Sequence, residues 1–156
     1  MNQLGIRFEA GEEVRVVRNI RNDGSFKLVD KGELLVKAGS LGIVRTYGYF
    51  LQDQIIFQVY FPDINEVVGI RDTELIKSHL EWVPCLFRSM DMAALRVSLS
   101  MQQKIIASKG DLVEVYRVHR NLDDGTIEYE IKLKDLIFRL DSQVLELPEK
   151  VTSNDV

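Results

Sequence analysis

Glu128-Tyr129-Glu130-Ile131-Lys132-Leu133-Lys134 places an apolar side chain at every second position and a charge between each. Wound into a helix, this pattern would scatter its apolar groups around the axis. Only a strand buried on one face gathers them. Gln54-Ile55-Ile56-Phe57-Gln58-Val59-Tyr60-Phe61 repeats the theme, with Ile55, Phe57, Val59 and Phe61 on one face. Val14-Arg15-Val16, Val67-Val68-Gly69-Ile70, Val113-Glu114-Val115 and Val144-Leu145-Glu146-Leu147 are shorter examples. Turn-forming pairs separate them: Asp23-Gly24, Lys31-Gly32, Gly39-Ser40, Pro62-Asp63, Lys109-Gly110 and Asp124-Gly125. The sequence therefore predicts an all-β chain of short antiparallel strands, folded as small barrels or sandwiches.

An internal repeat organises these strands. Gly11-Glu12-Glu13-Val14-Arg15-Val16-Val17-Arg18-Asn19-Ile20-Arg21-Asn22 can be laid over Gly110-Asp111-Leu112-Val113-Glu114-Val115-Tyr116-Arg117-Val118-His119-Arg120-Asn121. A second echo links Ile70-Arg71-Asp72-Thr73 with Phe138-Arg139-Leu140-Asp141-Ser142. The predicted layout is a first β unit over 6–79, a connector over 80–108 and a shorter second copy over 109–147. The connector is expected to contribute a strand over Ala94–Ser100. On this reading the second copy lacks a counterpart for most of Gly32 to Phe50. A polar tail, Pro148–Val156, is expected to fray. Asn22, Asp23, Gly24, Gly39 and Gly42 read as structural turn residues.

Charge argues against nucleic acid as a partner. The 156 residues hold 20 Lys and Arg against 24 Asp and Glu, for a net charge of −4. Binding to phosphates draws on a basic surplus. The run Arg15, Arg18, Arg21 is flanked by Glu9, Glu12, Glu13 and Asp23, and a salt-bridged solvated face is expected there. No apolar run approaches the ~20 residues of a membrane helix. The N-terminal residues lack an apolar signal segment, so a cytoplasmic location is expected.

Catalytic and metal-binding apparatus is sparse. His79 and His119 are the histidines, and Cys85 is the lone cysteine. One thiol cannot hold a zinc or iron–sulfur site alone. Cys85 is expected to be a small buried hydrophobe, although a redox or hydrolytic role with His79 stays open. No phosphate-binding loop or nucleophile elbow is present. No catalytic residue, metal or cofactor is therefore assigned. What remains is Tyr47-Gly48-Tyr49-Phe50-Leu51-Gln52-Asp53-Gln54, an aromatic cluster in a predicted hairpin. Such residues suit a protein contact or, equally, a plug for one end of a barrel.

Several stretches together resemble the NifZ domain of nitrogen-fixation proteins. They are Phe8–Val16, Arg18–Gly24, Gly32–Gly42, Gly48–Phe61 and Val68–Ile76. The resemblance implies an SH3-like barrel, so the whole chain would be two tandem SH3-like barrels with the second degenerate. It implies a non-enzymatic factor that binds immature molybdenum–iron protein while its P-clusters form, with other nitrogenase assembly factors as further candidate partners. The family pattern carries a cysteine where this chain has Ile70, which weakens a thiol-based role. Tyr47–Gln54 with Arg71 and Glu74 would form part of the contact. An SH3-like subunit of another iron–sulfur enzyme is the alternative.

Overall fold

A computed structural model describes residues 5–51 and 53–149. The expected all-β class holds: strands and two short 3-10 turns make up its regular structure, with no α-helix among the described residues. The chain divides into two units, 5–84 with Leu122–Gly125, and 85–121 with 126–149.

The first unit contains β1 (Glu13–Val16), β2 (Ile20–Arg21), β3 (Leu34–Val36), β4 (Leu41–Phe50), β5 (Gln54–Phe61), β6 (Glu66–Arg71) and β7 (Leu75–Lys77). A five-stranded antiparallel sheet runs β6-β5-β4-β1-β7, and β2 pairs with β3. The second unit contains β8 (Met92–Leu95), β9 (Leu99–Met101), β10 (Lys104–Ala107), β11 (Leu112–Arg120), β12 (Ile127–Leu133), β13 (Leu136–Asp141) and β14 (Leu145–Glu146). Its sheet runs β13-β12-β11-β8-β14, and β9 pairs with β10. The topologies are the same. A 3-10 turn precedes the last strand in both, at Asp72–Glu74 and Ser142–Val144.

This correspondence corrects the sequence alignment of the repeat. Val16 N–H donates to Ser40 O at 3.0 Å, and Leu95 N–H donates to Asp111 O at 2.9 Å. Gly39 N–H donates to Val16 O, as Gly110 N–H does to Leu95 O. The partner of Gly11–Val16 is thus Met90–Leu95, and Gly110 answers Gly39. The supposed connector contains the opening strand of the second unit. Its expected strand over Ala94–Ser100 is two strands, β8 and β9, broken at Arg96–Ser98. Alternation continued across the break and concealed it. Both units also bulge at one place in the long hairpin, between Val44 and Thr46 and between Val115 and Arg117. The apparent gap in the second copy narrows to a loop: 22–33 between β2 and β3, against Gln102-Gln103 between β9 and β10.

The cores match as well. Phe8 meets Phe57 edge-on at 5.4 Å, and Phe87 meets Tyr129 edge-on at 5.4 Å. Gly42 is buried within β4 rather than in a turn, correcting that expectation. A Cβ there would lie 2.5 Å from Val59 and 2.8 Å from Phe61, so the phenyl ring takes the space. The second unit places Val113 at this position, and Leu133 where Phe61 stands. A small–large pair is replaced by two medium side chains, which keeps packed volume.

The remaining turn residues organise a loop. Asn22 is buried at 3 % exposure. Its Nδ2 donates to the carbonyls of Phe26 (2.8 Å) and Val29 (2.9 Å). Its Oδ1 accepts from Gly24 N–H and Phe26 N–H, both at 3.1 Å. Asp23 accepts Ser25 N–H at 2.9 Å, and hydrogen bonds from Ser25 hold its carboxyl below the usual range. Gly24 and Gly39 have φ of 103° and 91°, values that glycine adopts without steric cost. Asn22→Ala should cost about 2–3 kcal/mol, since it strands buried N–H and C=O groups worth ~1 kcal/mol each. Proteolysis within 23–33 should accelerate. An unchanged cleavage pattern would show that the side chain does not order the loop.

Burial also sets an alkaline limit on the second unit. Tyr129 is 1 % exposed, and its hydroxyl accepts Leu86 N–H at 3.1 Å. Burial, its largest influence, pushes the phenol above its ordinary 10.0. The folded form keeps its proton to higher pH than the unfolded chain. The stability this gives is therefore complete below the ordinary value and is lost as pH climbs through the raised one. Unfolding titrations that start below the ordinary phenol value and continue above it should show that loss, and Tyr129→Phe should remove the slope.

Candidate functional site

The β4–β5 hairpin carries the aromatic cluster. Its register pairs Tyr47 with Phe57, Gly48 with Ile56, Tyr49 with Ile55 and Phe50 with Gln54. The bulge after Val44 resets the alternation, which puts Tyr47 and Tyr49 on the face that bears Phe57. Phe57 is fully buried, but the hairpin runs on past the core. Tyr47, Tyr49, Phe50 and Leu51 are 42, 52, 56 and 71 % exposed. They are therefore not a barrel plug. Tyr47 links the two regions, 6.0 Å from the Phe57 ring and 6.2 Å edge-on from Tyr49. Arg45 lies over the Tyr60 ring at 5.0 Å. Asp53 is exposed in the turn, and Gln52 lies outside the described residues.

Arg71 joins this surface through the sheet. Gly48 pairs with Ile56, and Ile56 pairs with Arg71, so the three form one cross-strand row on the outer face. Glu74 has a different place. Its carboxylate accepts Arg71 N–H at 3.0 Å, and its carbonyl accepts Val17 N–H at 2.9 Å. That makes it the clasp of the 3-10 turn, more a support for Arg71 than a contact residue.

The second unit's hairpin is charged where the first is aromatic. His119 pairs with Glu130 at 2.8 Å, and Arg139 with Glu128 at 2.9 Å. A polar cleft of about 360 Å³ lies among Val118, His119, Arg120, Thr126, Glu128 and Arg139. By register His119 is the second unit's equivalent of Gly48, not of Ile20 as the sequence alignment has it. Cys85 is exposed rather than buried, and its thiol donates to Phe87 O at 3.1 Å. Among the described residues, no group of three or more His, Cys, Asp or Glu could hold a metal ion.

The basic run is not the expected salt-bridged face. Arg15 donates to Gly39 O at 2.7 Å and Arg21 to Gly32 O at 3.2 Å, so these guanidiniums close turns. Arg15 also lies 5.8 Å from the Trp82 ring, beside an open cleft of about 540 Å³ between Lys37, Leu41 and Pro62. Sequence reading missed this cleft because Trp82 stands in an extended segment without periodicity.

Residues 6–77 match the family model of the NifZ domain. The chain is 34 % identical over 151 residues to Protein NifZ of Azotobacter chroococcum mcd 1, covering 96 % of both chains. It is 37 % identical over 145 residues to Protein NifZ of Klebsiella pneumoniae, covering 92 % of this chain and 96 % of that one. The chain belongs to the NifZ family. The family is implicated in nitrogen fixation. Likeness to these NifZ proteins extends well beyond 6–77, so the second unit is part of what they share with this chain. No helix among the described residues is long and apolar enough to cross a membrane.

Proposed function

We propose that this member of the NifZ family is a non-catalytic cytoplasmic assembly factor that binds immature molybdenum–iron protein during P-cluster formation. Each unit is read as an SH3-like barrel: a five-stranded antiparallel sheet with a 3-10 turn before its last strand. The observation that carries the binding role is the exposed aromatic tip, Tyr47 to Leu51, held on a strand anchored in the core. Aromatic groups on a rigid hairpin offer large apolar area at low entropic cost, which is how binding hot spots are built. P-cluster formation requires the receiving protein to close around fused iron–sulfur units. A factor that binds the open form more tightly than the closed form shifts that equilibrium, and is released as the cluster matures.

Tagged protein purified anaerobically from nitrogen-fixing cells should capture molybdenum–iron protein, with its immature form enriched. Capture of a different iron–sulfur enzyme in its place would support the interaction-subunit alternative and overturn this reading.

A further inference from the structure

Gly48 sits in the middle of a strand, where glycine weakens the fold and is normally explained by a bulge, a positive φ or crowding. None of these explains it. The bulge lies at Val44–Thr46, and Gly48 is not among the positive-φ glycines. A Cβ built on it meets nothing within 4 Å. The second unit shows what the same fold accepts at this place: His119, a bulky side chain, flanked across the strands by Glu128 and Asp141. The intramolecular structure therefore has no need of glycine at position 48. What the glycine does is leave a bare strip of strand β4, bordered by Phe50 and Ile56 and ending at Arg71. At Gly69, where the second unit has Arg139, the side chains of Ile56 and Gln58 already fill the space a Cβ would take, so the bare strip is confined to Gly48. The Arg71 guanidinium, exposed, makes no ion pair among the described residues.

We infer that Gly48 is a contact glycine. An extended segment of the protein partner lies over it, with apolar groups against Phe50 and Ile56 and a carboxylate on Arg71. This rests on the proposed binding role of the hairpin and assigns its partner a chemistry: an extended acidic segment with apolar flanks. The ion pair supplies register, and the missing side chain supplies close approach.

The test is capture of immature molybdenum–iron protein by the full chain and two variants. Gly48→Val should reduce capture at least tenfold while the melting temperature stays the same or rises, because valine suits a strand. Arg71→Gln should reduce capture several-fold and flatten its dependence on salt. Undiminished capture by Gly48→Val overturns the inference and leaves the binding role standing. Absence of capture by the unmodified chain overturns both. Self-association of the chain that Gly48→Val abolishes would assign the strip to a second copy and also overturn the inference.

Discussion

Phe57→Ala is expected to destabilise the first unit by about 3–5 kcal/mol, the usual cost of removing a buried phenyl ring from a packed core. The ring is fully buried and touches both Phe8 and Tyr47. Its loss removes apolar contacts and leaves a void on the inner face of the sheet beside Phe8, which the strands cannot close because their backbones are fixed by the ladder. Urea unfolding followed by Trp82 fluorescence reports on this unit, since Trp82 is the sole tryptophan and belongs to it. A change below about 1 kcal/mol would mean that the pair Phe8–Phe57 is not the centre of the core.

Tyr49→Ala combined with Phe50→Ala should do the opposite. Each side chain is more than half exposed, so the unfolding midpoint should move little. Partner binding should fall by about 30-fold or more, as expected when aromatic anchors worth ~1–2 kcal/mol each are removed from the centre of a contact. The two variants thus separate the roots of one hairpin from its tip. If the double variant unfolds the unit while binding persists, the tip is structural and the contact lies elsewhere.

Much of this was legible in the residues. Alternation in Glu128–Lys134 and Gln54–Phe61 located β12 and β5, because a sheet with one wet face enforces period two. The repeat was legible too, but in the wrong register. Gly-acid-x-Val recurs at Gly11 and Gly110 because both open a strand after a turn, and the two strands are not equivalent ones. Hydrogen-bond partners decide equivalence, and they lie far apart in sequence. Gly42 looked like a turn residue since the space its missing side chain vacates is filled by Phe61 from another strand. The aromatic stretch stood out as Tyr47–Gln54. Its exposure could not be read, since the same residues would plug a barrel end if the hairpin were shorter. Glu74 reads in the sequence as a contact residue beside Arg71, yet its carboxylate accepts the Arg71 backbone N–H. The row Gly48–Ile56–Arg71 was invisible because it runs across three strands.

The central claim is preference for the immature partner. Binding of the purified chain should be measured under anaerobic conditions against molybdenum–iron protein isolated before P-cluster completion and against the mature protein. Affinity should be at least tenfold tighter for the immature form, equal to ~1.4 kcal/mol of differential binding. Equal affinity for both forms, or none for either, would contradict it.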